Sequence, residues 1–184
     1  MKPTNILRIN VDKQMEIITK LEDRFSLLEI AEVRGKTLLD IGVGPLAMIA
    51  ARDFSCHVTS VDVSDEALQK AREEAKKENI HINFEREDAT DLSYGDNSFD
   101  VVISYAILHH IASLEARKNF AKEAYRVARE KVIIVDFNEA GFPHSGDEYK
   151  IVDFNWLENE LKLLSAVEKY EGDKMNLSIC FKRK

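Results

Sequence analysis

The chain of 184 residues has little of what marks secreted, membrane-spanning or metal-binding proteins. Its two cysteines, Cys56 and Cys180, lie far apart in sequence, so they form neither a metal-type nor a redox-type pair and indicate a reducing compartment. Residues 1–10 lack the apolar core of a signal peptide, and no run approaches the roughly 18 apolar residues that a membrane span needs. These absences predict a cytoplasmic protein with no metal site and no membrane span.

The chain also has fewer positively charged than negatively charged residues. Lys and Arg number 26 against 33 Asp and Glu, which gives a formal net charge of −7. Because affinity for a nucleic-acid backbone comes mostly from Lys and Arg, this balance argues against a nucleic-acid partner. The chain has no repeats, no low-complexity segment and no linker, so its length predicts a single domain over residues 1–184.

What the sequence does contain is a regular alternation of strand and helix patterns. Strands are predicted at Lys36–Ile41, Cys56–Val63, Ile80–Arg86, Phe99–Ser104 and Lys131–Phe137. Helices are predicted at Val11–Glu32, with a break near Ser26 as the alternative, and at Leu46–Asp53, Ser64–Glu78, Ser113–Arg129 and Asp147–Leu164. A closing hairpin is predicted from Ala166–Tyr170 and Met175–Lys182, with its turn at Gly172-Asp173.

Alternation at this spacing predicts an α/β fold. We expect a doubly wound, mostly parallel seven-stranded sheet that ends in a C-terminal antiparallel hairpin. Within it, residues 1–35 are interpreted as an N-terminal helical cap, 36–137 as a cofactor-binding core, and 138–184 as a C-terminal helix and hairpin.

The stretch Leu38–Ala51 organises this alternation. An apolar strand ends in Asp40, Gly42 and Gly44 follow, and Pro45 opens a helix. Glycine lets a ligand approach the main chain closely, and the first free N–H groups of the helix then point at that ligand. Because ligands of doubly wound sheets bind beyond the carboxyl ends of the strands, this stretch predicts a nucleotide-like cofactor there.

The same glycines leave a second cofactor open. The segment Gly42-Val-Gly-Pro-Leu-Ala47 fits the dinucleotide fingerprint, and Asp62 follows at the distance that suits a ribose diol, so a nicotinamide-dependent oxidoreductase is an alternative. Against it, Asp40 would repel a pyrophosphate but attract a cationic ligand, and little chain remains for a substrate domain. The Tyr-x-x-x-Lys pattern from Tyr170 to Lys174 spans the predicted hairpin rather than a helix, so these two residues do not suit the catalytic pair of such an oxidoreductase.

Four short motifs follow one another along the predicted core. They are Leu38-Leu-Asp-Ile-Gly-Val-Gly44, Val61-Asp-Val-Ser64, Glu87-Asp-Ala-Thr-Asp-Leu92 and Asp96-Asn-Ser-Phe-Asp-Val-Val-Ile-Ser104. In order and spacing they resemble the class I S-adenosylmethionine (SAM)-dependent methyltransferases. The next stretch, Ser104-Tyr-Ala-Ile-Leu-His-His-Ile111, resembles the branch that contains the quinone-biosynthesis C-methyltransferases and many small-molecule enzymes. The resemblance covers Lys36–Phe137 and implies a Rossmann-like methyltransferase fold with SAM as the cofactor.

The resemblance also implies which residues bind the cofactor. They are Asp40, Gly42, Gly44, Asp62, Val63, Asp88, Ala89, Ser104 and Tyr105. The glycine loop and the aspartate before it would hold the methionine end. Asp62 would accept hydrogen bonds from both ribose hydroxyls, with Val63 beside the adenine, and Asp88 and the Ala89 N–H would bind the adenine edge. The last two residues would line the floor beneath the sulfonium.

Two positions depart from the family pattern. Leu46 stands where a third glycine is usual, so the turn is expected to be more rigid and the cofactor slightly displaced. The usual Pro-Gly-Gly turn before the fifth strand is absent, because Val127–Lys131 runs almost directly into that strand. The second departure lies away from the expected site and is interpreted as structural.

The expected reaction is an in-line displacement at the sulfonium methyl group. The protein chiefly aligns the nucleophile, and a base is needed only if that nucleophile carries a proton. His109 is the candidate base or substrate contact, and the alternative is that its side chain only packs. The capping segments are short, so the site is either open to a macromolecule or completed by a second copy in a homodimer. We expect a small-molecule acceptor, and the alternative to an enzyme is a SAM-binding accessory protein without catalysis.

Overall fold

The strands of this computed structural model, which describes residues 21–143 and 149–183, form one seven-stranded sheet in the order β3-β2-β1-β4-β5-β7-β6. The strands are β1 (Thr37–Ile41), β2 (His57–Asp62), β3 (Asn83–Arg86), β4 (Phe99–Tyr105), β5 (Ala128–Phe137), β6 (Val167–Glu171) and β7 (Met175–Phe181). The first five are parallel, and β7 runs antiparallel to both of its neighbours. The predicted fold class is therefore confirmed.

Five α-helices of the described part cover the sheet. They are α1 (Arg24–Ile30), α2 (Pro45–Phe54), α3 (Asp65–Lys77), α4 (Leu114–Val127) and α5 (Phe154–Leu164). Apolar residues of α1 and α2 form one buried cluster with one face of the central strands, and those of α4 and α5 form a second cluster with the other face. No helix in the described part of the chain is long and apolar enough to cross a membrane.

Hydrogen-bonding side chains fix where the helices begin. Asp23 accepts hydrogen bonds from the first-turn N–H groups of α1, and Ser64, Ser113 and Asp153 do the same for α3, α4 and α5. Within the described residues the helix predicted at Val11–Glu32 therefore starts only at Arg24, and the alternative break near Ser26 lies three residues after the Asp23 cap. Residues 11–20 of that helix, like most of the expected cap over 1–35, lie outside the described residues.

Two boundaries near the C-terminus also differ from the predictions. The helix predicted at Asp147–Leu164 begins at Phe154, since Asp153 caps it; residues 144–148 lie outside the described residues. The hairpin turn is displaced by one residue, because the Gly172 N–H donates to the Met175 carbonyl and leaves Asp173-Lys174 as the central pair. The direct passage from α4 into the fifth strand is confirmed, since β5 begins at the residue after Val127.

Candidate functional site

The glycine loop between β1 and α2 has one glycine with a positive φ and one extended glycine. Gly42 has φ +93°, and its N–H donates to the Val61 carbonyl at 2.8 Å, which ties the loop to the end of β2. A side chain at this position would overlap Ile107, so the chain requires glycine for both conformation and space. Gly44 is extended (φ −174°) and precedes Pro45, the first residue of α2, and a methyl group there would meet nothing within 4 Å.

A cleft of about 520 Å³ opens beside this loop at the carboxyl ends of β1 and β2. It brings together five of the nine predicted cofactor residues, namely Gly42, Asp62, Val63, Asp88 and Ala89. The other lining residues are Ile41, Val61, Glu87, Thr90, Ile107, His110, Ile111 and Ala116. The position of Ile107 and His110 after β4 predicts that they lie at this edge, and the structure places both in the lining, although no cofactor role was assigned to them.

Backbone N–H groups hold the two predicted carboxylates of the cleft. One oxygen of Asp62 accepts from Val43 N–H at 3.2 Å and the other from Ser64 N–H at 2.9 Å. Asp88 Oδ1 accepts from the N–H and the hydroxyl of Thr90, and these bonds lower the pKa of Asp88. Asp88 is thus fixed by its own loop and Asp62 by its own loop and the glycine loop, and both retain acceptor capacity towards the cleft.

Asp40 lies beneath the glycine loop and does not line the cleft. It is 1% exposed, and Ser60 Oγ donates to its Oδ2 at 2.9 Å. Burial raises the pKa of Asp40 to about 7, although the Ser60 hydrogen bond and the charge of Arg24 oppose that rise. Arg24 was not predicted from the sequence, because only the fold brings the start of α1 towards the end of β1.

The remaining predicted cofactor residues lie around the cleft rather than in it. Gly44 lines a neighbouring groove of about 450 Å³ between α2 and α3. Ser104 is 1% exposed, and its hydroxyl has no hydrogen-bond partner among residues 21–143 and 149–183. The Tyr105 hydroxyl donates to the Glu22 carbonyl at 3.2 Å, and the Arg24 guanidinium lies 4.4 Å from the centre of the Tyr105 ring.

Leu46, which replaces the usual glycine, points away from both openings. It is 2% exposed and belongs to the apolar cluster under α1 and α2. The expected displacement of the cofactor has no support in this packing, because the side chain fills the core rather than the cleft.

His109 also differs from its expected position. It is 1% exposed, its Nδ1 lies 2.7 Å from Asp136 Oδ1, and its backbone N–H donates to Asp136 Oδ2 at 3.1 Å. It does not line the cleft, whereas its neighbour His110 does. The packing interpretation of His109 therefore agrees with the structure, and the two histidines with Asp136 form no metal-binding group among the described residues.

A larger cavity of about 690 Å³ lies at the opposite, amino-terminal edge of β1–β3. Its lining includes His57, Arg72, Lys76 and His81 and none of the predicted cofactor residues. Volume alone does not decide function, because the glycine loop and the strand-end carboxylates all lie at the other edge.

Comparison with known proteins agrees with this geometry. Residues 38–140 match the sequence model of a family described as "Methyltransferase domain". The chain is 37% identical over 129 residues to a ubiquinone/menaquinone biosynthesis C-methyltransferase of Bdellovibrio bacteriovorus, and the alignment covers 67% of this chain and 53% of that protein. The chain spans about half the length of the curated relatives it matches.

Solved structures share the fold. A protein from Pyrococcus horikoshii OT3 has a TM-score of 0.73 at 22% identity, with 91% of this chain and 95% of that chain covered. A SAM-dependent methyltransferase from Aquifex aeolicus has a TM-score of 0.69 at 17% identity, with 96% and 100% covered. These likenesses confirm the Rossmann-like α/β architecture.

Proposed function

This chain belongs to the methyltransferase domain family, and we propose that it transfers the methyl group of SAM to a small-molecule acceptor. The observation that carries the proposal is the cleft at the ends of β1 and β2. It places two backbone-held carboxylates, Asp62 and Asp88, opposite the apolar side chains of Ile107 and Ile111. Its volume of about 520 Å³ falls in the range of small-molecule and cofactor sites.

The cleft residues fit the adenosine part of SAM. Asp62 would accept hydrogen bonds from the ribose hydroxyls, and Asp88 from the adenine amino group, with the Ala89 N–H donating to a ring nitrogen. Val63, which is 60% exposed, would regain an apolar neighbour beside the adenine. Carboxylates suit hydroxyl and amino donors, because an ionised acceptor makes a stronger hydrogen bond than a neutral one.

The region under the glycine loop fits the methionine part, which is zwitterionic. Arg24 would supply a positive charge for a carboxylate, and the buried Asp40, when ionised, would act on an ammonium group from beneath the loop through its charge rather than by contact. The extended backbone at Gly44 leaves room for close approach. When bound, SAM supplies a methyl group already activated on sulfur, so the protein needs to align the acceptor and exclude water.

We assign the acceptor side to the region after β4 and β5, where aromatic rings cluster around His109 and His110. Phe137 and Phe142 lie edge-on to the His109 ring at centroid distances of 5.5 and 5.7 Å, and Tyr149 packs against His110 at 5.1 Å. Flat aromatic molecules pack well on such rings. An aromatic small molecule is therefore the acceptor class that these residues favour, in keeping with the quinone-biosynthesis relative.

Two measurements test the proposal. Calorimetry with SAM, S-adenosylhomocysteine and NAD separates the cofactors, and binding of NAD alone would overturn the proposal in favour of an oxidoreductase. Transfer of a radiolabelled methyl group to hydroquinones then separates an enzyme from an accessory protein that binds SAM without catalysis. Screening small amines, transfer RNA and cell protein in the same assay covers the other acceptor classes.

A variant pair tests the central contact. We expect Asp62→Ala to weaken S-adenosylhomocysteine binding by about 1–3 kcal/mol, because charge-assisted hydrogen bonds to the ribose are lost. Asp65→Ala is the matched control, since Asp65 lies three residues later at the start of α3 and does not line the cleft. Equal affinities for Asp62→Ala and the unchanged protein would refute the role of Asp62.

A further inference from the structure

A buried arginine joins the cofactor cleft to a segment that lies outside it. Arg117, in the first turn of α4, is 6% exposed. Its Nε donates to the Ile111 carbonyl at 2.6 Å, its Nη2 to the Lys150 carbonyl at 2.6 Å, and its Nη1 to the Ile151 carbonyl at 3.2 Å. One guanidinium group thus holds two chain segments that are far apart in sequence.

Both segments bear on the proposed site. Ile111 and Ala116, the neighbour of Arg117, line the cofactor cleft. Residues 149–152 lie between β5 and α5, where Tyr149 packs on the ring of His110, another lining residue. The position of residues 149–152 therefore affects the wall of the cleft through both a side chain and the guanidinium group.

Further contacts rigidify the connection between the cleft wall and residues 149–152. The Lys150 N–H donates to the His109 carbonyl at 3.1 Å, and Asp136 holds His109 through both its backbone N–H and its ring. The charge of Asp136 also acts on Arg117 and favours its charged form, against the burial that lowers the pKa of Arg117. Charge-assisted bonds to three carbonyls in a buried setting are among the strongest polar contacts in a protein.

We propose that Arg117 is a positioning residue that couples occupancy of the cofactor cleft to the ordering of residues 149–152 on the acceptor side. The proposal rests on the proposed function, because it assigns that cleft to SAM. A ligand that fixes Ile111 and His110 also fixes their partners across the guanidinium group and the Tyr149 ring. Binding of the cofactor should then further restrain residues 149–152, which Arg117 and the Lys150–His109 hydrogen bond already hold in the ligand-free structure.

Site-resolved amide hydrogen exchange of the full chain tests the coupling. Without ligand, we expect the Lys150 amide to exchange at least tenfold faster in Arg117→Met than in the unchanged protein. The reason is that the guanidinium group no longer holds the carbonyls of Lys150 and Ile151. S-adenosylhomocysteine should slow the Lys150 amide severalfold in the unchanged protein but not in Arg117→Met. The Gly42 amide should be slowed in both.

Two further variants keep the test decisive. Arg117→Lys retains a charge near Asp136 but cannot reach three carbonyls, so we expect it to behave like Arg117→Met even if the latter folds poorly. Arg126→Met is the matched control, since Arg126 also donates to two loop carbonyls, Leu92 and Tyr94, but from the other end of α4. It should leave Lys150 protection unchanged.

The outcomes separate the two proposals. Unchanged Lys150 exchange in both Arg117 variants, or an equal effect of S-adenosylhomocysteine with and without the guanidinium group, would overturn the coupling. Failure of S-adenosylhomocysteine to bind the unchanged protein would overturn the proposed function instead, and the ligand-free comparison would still decide whether Arg117 holds the segment.

Discussion

The two halves of the carboxyl edge are held together in different ways. In the proposed cofactor half, after β1–β3, the carboxylates accept from residues at most 20 positions away: Asp88 from Thr90, Asp62 from Val43 and Ser64, and Asp40 from Ser60. In the acceptor half, after β4 and β5, the partners are distant in sequence: His109 and Asp136 are 27 residues apart, and Arg117 and Lys150 are 33 apart. The contacts of the cofactor half need only the pairing of β1 with β2 and the turn after β3, whereas those of the proposed acceptor half join β4, β5, α4 and the segment before α5.

The largest expected effect is in the acceptor half. Asp136→Ala should lower the free energy of unfolding by about 3–5 kcal/mol, because it leaves the buried donors of His109 and Phe137 without their acceptor. Asp88→Ala in the cofactor half should cost only about 1 kcal/mol, since an exposed loop carboxylate is lost. Urea unfolding measures both, and equal losses would break the contrast between the halves.

This contrast also explains how much of the fold followed from the sequence. The strand positions, the mostly parallel arrangement and the closing hairpin were predicted, because apolar runs and turn residues are local signals. The start of α1 after the Asp23 cap was missed by three residues, because a break was considered only near Ser26 and the apolar spacing from Met15 to Leu28 does not mark the cap. Tertiary packing and capping can set a helix boundary at a point where the spacing of apolar residues in the sequence continues unchanged.

A slightly smaller loss of stability is expected on substitution of Leu46, the residue that stands where the family usually has a third glycine. Leu46→Ala should destabilise the protein by about 3 kcal/mol, because it opens a cavity in the cluster under α1 and α2. Leu163→Ala is the control, since Leu163 is 76% exposed and its loss should cost less than about 0.5 kcal/mol. Affinity for S-adenosylhomocysteine should not change in either variant, and a large change in Leu46→Ala would show that this position shapes the cleft.

The buried carboxylate of the cofactor half gives a pH-dependent prediction. Burial raises the pKa of Asp40 to about 7, above the roughly 3.9 of an unfolded chain, so the folded protein binds more protons between pH 4 and 7. Its stability should therefore fall as pH rises through that interval and level off above pH 7.

Asp40→Asn isolates this contribution. Relative to the variant, the unchanged protein should lose about 2–3 kcal/mol of stability between pH 5 and pH 8. Asp100→Asn is the contrasting variant, because hydrogen bonds from Thr37 and Arg129 lower the pKa of Asp100, and its contribution should be nearly constant over the same range. Urea unfolding at several pH values measures both, and parallel curves for Asp40→Asn and the unchanged protein would contradict the buried-carboxylate assignment.

The candidate site was predictable to the extent that its contacts are local. Five residues that cluster in the cleft follow strand ends directly, where the sequence indicates them. Arg24 and Arg117 were missed because each reaches the site from another element, and no spacing rule connects them to it. His109 was singled out by its position after β4, but the direction of its side chain depends on Asp136, which the sequence alone does not pair with it.

The smallest losses of stability are expected on substitution of the two loop glycines, and comparing them distinguishes an effect on folding from an effect on ligand approach. Gly42→Ala should cost about 1–2 kcal/mol of stability and weaken S-adenosylhomocysteine binding, because φ is +93° and the new methyl group displaces Ile107 from the cleft wall. Adding Ile107→Ala should relieve the overlap but not the backbone strain, so only part of the loss should return. Gly44→Ala should leave stability within about 0.5 kcal/mol, since nothing lies within 4 Å, yet should also weaken binding. If Gly44→Ala bound the ligand normally, the second glycine would not serve close approach, and the cofactor half would depend on Gly42 alone.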